Sequence, residues 1–110
     1  MTWSIIAKDA ATGRIGIAVA TCTLAVGARV PHIRTGTGAI ASQAYVNPYY
    51  GPHGLQLLDE GLDAPSVIGQ LTAADAGRDH RQLHVMDRAG RFAAWTGSSC
   101  VPWCGHEVRA

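Results

Sequence analysis

The chain has 110 residues and a mass of 11.6 kDa, which predicts a single domain over residues 1–110, because domains usually contain about 100–150 residues. Hydrophobic residues make up 47% and charged residues 15% of the chain, a balance that excludes a disordered protein. The formal net charge is +1 and the arginines stand singly along the chain. The clustered basic face of a nucleic-acid-binding protein is therefore missing.

The apolar runs and the cysteines predict a soluble, cytoplasmic protein. The apolar stretch at residues 15–28 is interrupted by glycine and threonine and is shorter than the about 20 apolar residues of a membrane-spanning helix. The first residues lack a basic leader followed by an apolar segment, so no secretory signal is expected. Three cysteines are an odd number, which favours reduced thiols over a complete disulfide framework.

The first half of the chain predicts strands. Residues 2–8 alternate in the manner of a strand between two layers, and residues 15–21 are rich in small and β-branched side chains. The turn at residues 9–13 would join them into a hairpin of two buried strands. Residues 26–37 contain glycine, proline and arginine and predict an irregular crossover. Residues 38–43 predict a third strand.

Two helices and a second hairpin are predicted next. Pro52 suits the first turn of a helix that ends near Gly61, and Asp63 is a typical cap for a second helix. Residues 82–86 and 91–96 flank a turn with a glycine suited to positive φ, which indicates a hairpin. The predicted class is α+β, in the order strand pair, strand, two helices, strand pair.

Thr2 is the candidate catalytic residue. Removal of Met1 would leave Thr2 with a free α-amine, whose pKa of about 7.7–8.0 allows it to take the proton of the threonine hydroxyl and create a nucleophile. The start of a buried strand would aim that nucleophile rigidly. Any Met-Thr start can also be processed without consequence, so both interpretations stay open at this point.

Four polar residues of the segment around the third strand are candidates for substrate binding: Arg29, Ser42, Gln43 and Asn47. Polar loops on a rigid scaffold are where binding groups concentrate, and an arginine can hold a carboxylate through two parallel hydrogen bonds. Donors for an oxyanion are expected from the backbone near Ser42 or Gln43 or from Arg29. Asn47 precedes a proline and equally suits a plain turn.

Cys100, Cys104 and His106 lie within seven residues and suggest zinc as an alternative. The pair has no second cysteine pair elsewhere, whereas structural zinc usually takes four ligands. The sequence therefore predicts no metal site and no cofactor.

The whole chain resembles an uncharacterised bacterial family, the domain of unknown function 1028, which is assigned to the N-terminal-nucleophile (Ntn) hydrolase-like superfamily. The segments that carry the resemblance are residues 2–9 (TWSIIAKD), 12–20, 26–31, 36–43 (GTGAIASQ), 47–51 (NPYYG), 54–55, 78–82 (RDHRQ), 96–97 and 103–106 (WCGH).

The resemblance implies a four-layered αββα sandwich in which two sheets lie between helical layers. It further implies a hydrolase in which Thr2 attacks an amide or other C–N bond of a small nitrogen-containing metabolite. Members of the family continue for about as many residues again past Gly105 and His106. This chain would then be the N-terminal half of the fold, completed by a second chain or by a homo-oligomer. The alternative is a non-catalytic subunit that binds a metabolite or a protein on the same scaffold.

Overall fold

The computed structural model describes residues 1–109. Six strands and two helices make up the fold, together with short 3-10 helices at Val26–Ala28 and Arg78–His80. In chain order the elements are β1 (Thr2–Lys8), β2 (Ile15–Thr21), β3 (Pro31–Arg34), β4 (Gly38–Ala44), α1 (Tyr50–Asp59), α2 (Ala64–Ala73), β5 (Arg81–Asp87) and β6 (Phe92–Thr96). The α+β class and both predicted hairpins are confirmed.

The strands form two antiparallel sheets that pack face to face. One sheet contains β1 and β2, paired from Thr2 with Thr21 to Lys8 with Ile15. The other has the order β3-β4-β5-β6. Strand alternation sends Ile40 of β4 into the cluster beneath α1 and α2, whereas its neighbours on β4 pack against β1 and β2. The four-stranded sheet is therefore covered by helices on one face and by the β1–β2 sheet on the other.

The helices pack closely on the sheet. Asp63 caps α2 as predicted, because its side chain accepts a hydrogen bond from the Ser66 backbone amide at 2.9 Å. Gly54 of α1 lies against Ile40, and a Cβ atom at this glycine would stand 2.4 Å from the Ile40 side chain. Helix and strand can approach this closely only because position 54 carries no side chain. No helix within residues 1–109 has the length and apolarity to cross a membrane.

One strand lies where the sequence predicted an irregular crossover. β3 occupies residues 31–34 and pairs with one side of β4, with Pro31 opposite Ala41. Proline is tolerated at the first residue of an edge strand, where its missing amide hydrogen breaks no ladder bond. The prediction of a crossover over residues 26–37 was wrong for these four residues, since the pairing that makes them a strand comes from β4.

The described residues form three layers: a helix pair, the four-stranded sheet and the β1–β2 sheet. Trp3 is 70% exposed and Ile5 61% exposed, opposite Ala20 and Ala18 on β2. The first two strands are thus buried on one face only. The outer face of the β1–β2 sheet is apolar and uncovered within residues 1–109, which is where a second helical layer would pack in the four-layered sandwich.

Candidate functional site

A pocket of about 700 Å³ lies between β1 and the inner face of β5 and β6. It exists because the β1–β2 sheet packs mainly over β3 and β4 and leaves part of the inner face of the last two strands uncovered. Residues 105–109 run along one side of the pocket. The N-terminal strand therefore borders this partly open pocket.

Gln43 connects the N-terminal strand to the floor of this pocket. Its side chain is 8% exposed, and its Nε2 donates to the backbone carbonyl of Thr2 at 3.1 Å and to Gln82 Oε1 at 3.2 Å. Its Oε1 lies 2.5 Å from Ser4 Oγ. A nearly buried amide with all of these contacts is held in one orientation, since losing any of them would leave a polar atom unpaired.

Ser4 and His84 form a second contact within the same cluster. Ser4 Oγ lies 2.8 Å from His84 Nε2. Burial, and then the positive charge that His106 would carry, lower the pKa of His84 from its ordinary value. The ring is therefore neutral at physiological pH.

A parallel chain of hydrogen bonds extends toward the C-terminal segment. Gln82 Nε2 donates to Thr96 Oγ1 at 3.2 Å and to the Gly105 carbonyl at 3.0 Å. Thr96 Oγ1 in turn lies 2.9 Å from His106 Nδ1. The pocket thus has a floor of hydrogen-bonding groups that ties residues 105–106 to the sheet.

The rest of the pocket is mostly apolar, with Ile6 and Val19 of the first sheet on one side and Phe92 and Ala94 of β6 on the other. Glu107 and Arg109, its charged lining residues, are paired with each other at 2.7 Å. An apolar enclosure with a few convergent polar groups is the usual character of a small-molecule site.

The structure places Thr2 at the start of β1, half-buried, beside this cluster. Its Oγ1 lies 3.0 Å from Thr21 Oγ1, which itself donates to the Met1 carbonyl at 3.2 Å. The Thr2 side chain does not line the pocket, but its carbonyl is held by Gln43, which does. Thr2 and Gln43 are therefore brought together by the fold.

The other three predicted binding residues lie elsewhere. Arg29 is exposed after the first 3-10 helix, and its side chain makes no hydrogen bond within residues 1–109. Ser42 is fully buried on the helix-facing side of β4, with its Oγ unpaired and its amide donating to the Val30 carbonyl at 3.1 Å. Asn47 donates to Asp75 at 3.1 Å and lines a separate small pocket near α1. None of these three side chains is hydrogen-bonded to the Thr2–Gln43 cluster.

Residues 1–109 contain no group of three or more histidine, cysteine or acidic side chains arranged to hold a metal ion. Cys100 is half-buried, with its Sγ 3.5 Å from the Arg81 carbonyl, and burial raises the pKa of its thiol. Cys104 and Cys22 are exposed.

Three residues of the polar floor were not predicted to bind ligand: Gln82, His84 and Thr96. The sequence does contain a pattern that relates two of them, since Gln82 and His84 are two positions apart and therefore share one face of a strand. Strand pairing shows that these residues lie together, because Gln82 of β5 is opposite Gln43 of β4 and opposite Thr96 of β6.

Comparison with known proteins agrees with the fold. The crystal structure of a protein from Silicibacter pomeroyi, described as belonging to the DUF1028 family, is similar with a TM-score of 0.89 and 40% sequence identity. The similarity covers 93% of this chain and 48% of that protein, so the chain spans about half of its length. No curated protein matches the chain. The profile of a family of unknown function, DUF1028, matches residues 2–110, and the chain therefore belongs to the DUF1028 family.

Proposed function

We propose that this protein is an N-terminal-nucleophile hydrolase that cleaves an amide or other C–N bond of a small nitrogen-containing metabolite, with Thr2 as the nucleophile. The observation that carries the proposal is the Gln43 cluster, which holds the first residue of the N-terminal strand beside a mostly apolar pocket. The DUF1028 resemblance, which implies the Ntn superfamily, supports the same assignment, and the four-layered αββα sandwich is part of it.

The chemistry follows from the two functional groups of Thr2. After Met1 is removed, the α-amine takes the proton of Thr2 Oγ1, and the oxygen forms a bond to the carbonyl carbon of the substrate. The C–N bond then breaks, and the leaving amine departs with the proton. Water hydrolyses the resulting ester and restores the threonine. Thr21 Oγ1, 3.0 Å from Thr2 Oγ1, is placed to accept the threonine proton before the reaction and so to orient the hydroxyl.

We also propose that another polypeptide completes the sandwich, either a second copy of this chain or a separate chain. The similar Silicibacter pomeroyi protein is about twice as long, and the outer face that carries Trp3 and Ile5 is uncovered. Apolar faces of this kind normally mark an interaction surface. Residues 105–109 and β1 would then form only part of the complete pocket.

The exposed outer face favours a second candidate function, a non-catalytic subunit that binds a metabolite or a partner protein. The state of the N-terminus separates the two candidates. Mass spectrometry of the purified chain is expected to show Met1 removed. If Met1 remains attached, the free threonine amine does not exist and the binding subunit becomes the better description.

Turnover provides the direct test. Thr2→Ala is expected to abolish release of ammonia or amine from a panel of small amides and ureides, with the far-ultraviolet circular dichroism unchanged. Thr12→Ala is the matched control, because Thr12 is an exposed turn residue bonded to Asp9. Full turnover by Thr2→Ala would show that the nucleophile is a different group.

A further inference from the structure

The hydrogen-bond network beneath the pocket determines which nitrogen of His84 carries a proton, and Gln43 is the first side chain that this network orients. The Thr2 carbonyl oxygen can only accept, so the Gln43 atom 3.1 Å from it is the amide nitrogen. The same nitrogen faces Gln82 Oε1. The Gln43 atom that faces Ser4 is therefore the amide oxygen.

The orientation of the Gln82 side-chain amide independently supports this assignment of Gln43. Its Nε2 faces the Gly105 carbonyl, another group that can only accept, at 3.0 Å. Its Oε1 is consequently the atom that receives the Gln43 amide hydrogen. The backbone carbonyls of Thr2 and Gly105 thus fix the orientations of the Gln43 and Gln82 side-chain amides.

Ser4 transmits this assignment to His84. Gln43 Oε1 has no hydrogen to give, so the single hydroxyl hydrogen of Ser4 points to it across 2.5 Å. Ser4 Oγ can then only accept from His84 Nε2, 2.8 Å away. His84 is therefore protonated at Nε2, and in the neutral ring Nδ1 carries the lone pair.

The His84 ring lines the pocket, and its Nδ1 makes no hydrogen bond to any residue within 1–109. The titratable side chains that share the pocket are His106, Glu107 and Arg109, and the last two neutralise each other. Burial and His106 both oppose a charge on His84. The pocket therefore offers an acceptor on an uncharged ring, and the Arg109 guanidinium at its edge is already paired with Glu107.

We propose that His84 Nδ1 is the ligand-binding acceptor of this pocket, which selects uncharged molecules with an N–H donor, primary amides in particular, over the corresponding carboxylates. The choice of amides among such molecules rests on the proposed function. The protonation state of His84 and the preference for a neutral ligand rest on the network alone. Ser4 and Gln43 are positioning residues, because they act on the ligand through His84.

The test uses benzamide and benzoate, which have the same shape and differ in charge and in the N–H donor. The ring suits the apolar walls that include Ile6 and Phe92. In a long-range ¹H–¹⁵N correlation spectrum of the ¹⁵N-labelled full chain at pH 8, His84 is expected as the Nε2–H tautomer. Benzamide is expected to shift the Nδ1 resonance in a saturable manner, and benzoate to bind at least about tenfold more weakly. An Nδ1–H tautomer, no saturable benzamide shift, or equal affinity for benzoate would each overturn the proposal.

Variants separate the network from general effects on the fold. Ser4→Ala removes the acceptor for Nε2–H and is expected to give a mixture of both tautomers, whereas Ser98→Ala, at an exposed turn residue, keeps the single tautomer. His84→Gln is expected to weaken benzamide binding at least about tenfold, whereas His53→Gln, on the exposed side of α1, leaves it unchanged. A Ser4→Ala chain that keeps the pure Nε2–H tautomer would contradict the assignment.

Binding and tautomer are measured without turnover. If Met1 is retained or Thr2→Ala keeps full activity, the proposed function fails while these results stand. If turnover depends on Thr2 but benzamide does not reach His84, the further inference fails while the proposed function stands.

Discussion

Asp75 is a polar anchor outside the pocket, and its replacement by asparagine is expected to destabilise the fold severely. Its carboxylate receives hydrogen bonds from Arg81 Nε at 2.9 Å, the Tyr50 hydroxyl at 2.8 Å, the Gly77 amide at 2.8 Å and Asn47 at 3.1 Å. The Asp75 side chain is 13% exposed and that of Arg81 17%. Every partner is a donor, so the amide group of an asparagine would face a donor in either orientation.

The magnitude follows from the loss of one partner of a largely buried ion pair. Removal of one charge typically costs about 3–5 kcal/mol, because the other is left uncompensated. A domain of this size has a total stability of about 5–15 kcal/mol. At about 4–8 °C per kcal/mol for a small domain, the melting temperature of Asp75→Asn is expected to fall by about 12 °C or more. Urea unfolding followed by circular dichroism at pH 7 measures the free energy directly.

The pH dependence tests the electrostatic origin of this loss. The Arg81 hydrogen bond is the main cause that holds the pKa of Asp75 well below its ordinary value. A carboxyl with a depressed folded pKa stabilises the fold above its unfolded pKa, about 3.9, and loses that contribution as the pH falls through the folded pKa. The difference in the free energy of unfolding between wild type and Asp75→Asn should therefore have its maximum value at pH 7 and decrease below about pH 4.

Asp59→Asn is the control, because Asp59 pairs with Arg34 at the surface with 43% of its side chain exposed. Such pairs contribute little, so this variant should lose clearly less stability than Asp75→Asn. Equal losses in the two variants, or a difference from wild type that does not change between pH 7 and pH 3, would refute the reasoning.

Two further predictions concern packing against β4. Gly54→Ala places a Cβ atom 2.4 Å from the Ile40 side chain and should lower the free energy of unfolding by about 1–3 kcal/mol. Gly69→Ala on α2, where a Cβ atom would have no neighbour within 4 Å, should raise the free energy of unfolding by up to about 1 kcal/mol. Urea unfolding distinguishes the two variants, and equal effects would contradict the packing described. Ser42→Ala removes a buried hydroxyl without a partner and should raise the free energy of unfolding by about 1 kcal/mol or more, while leaving benzamide binding unchanged; a loss of binding would restore Ser42 as a ligand-binding residue.

The local elements were predictable because their causes are local. Residues 2–8 and 15–21 alternate strictly, and the glycine of the second hairpin, Gly90, adopts the positive φ of 87° that its turn requires. Asp63 caps α2 through a bond to a residue three positions away. β3 was not predictable in this way, since its four residues become a strand only through pairing with β4.

For the candidate site, too, residue types were readable from the sequence but long-range contacts were not. Residue types alone identified Thr2 and Gln43 as candidates, but they ranked Ser42 equally with its neighbour Gln43. Adjacent strand residues point to opposite faces, and only the packing of β1 and β2 on one face of the four-stranded sheet determines which of the two meets a pocket.

By itself, the sequence determined the hairpins, the helix cap, the α+β class and the family, since each depends on neighbouring residues or on the chain as a linear pattern. The tertiary structure alone decided that Ser4, Gln43 and His84 form one cluster, because Ser4 is separated from Gln43 by 39 positions and from His84 by 80. Contacts over such separations arise when two sheets pack, and no local pattern encodes which faces will meet.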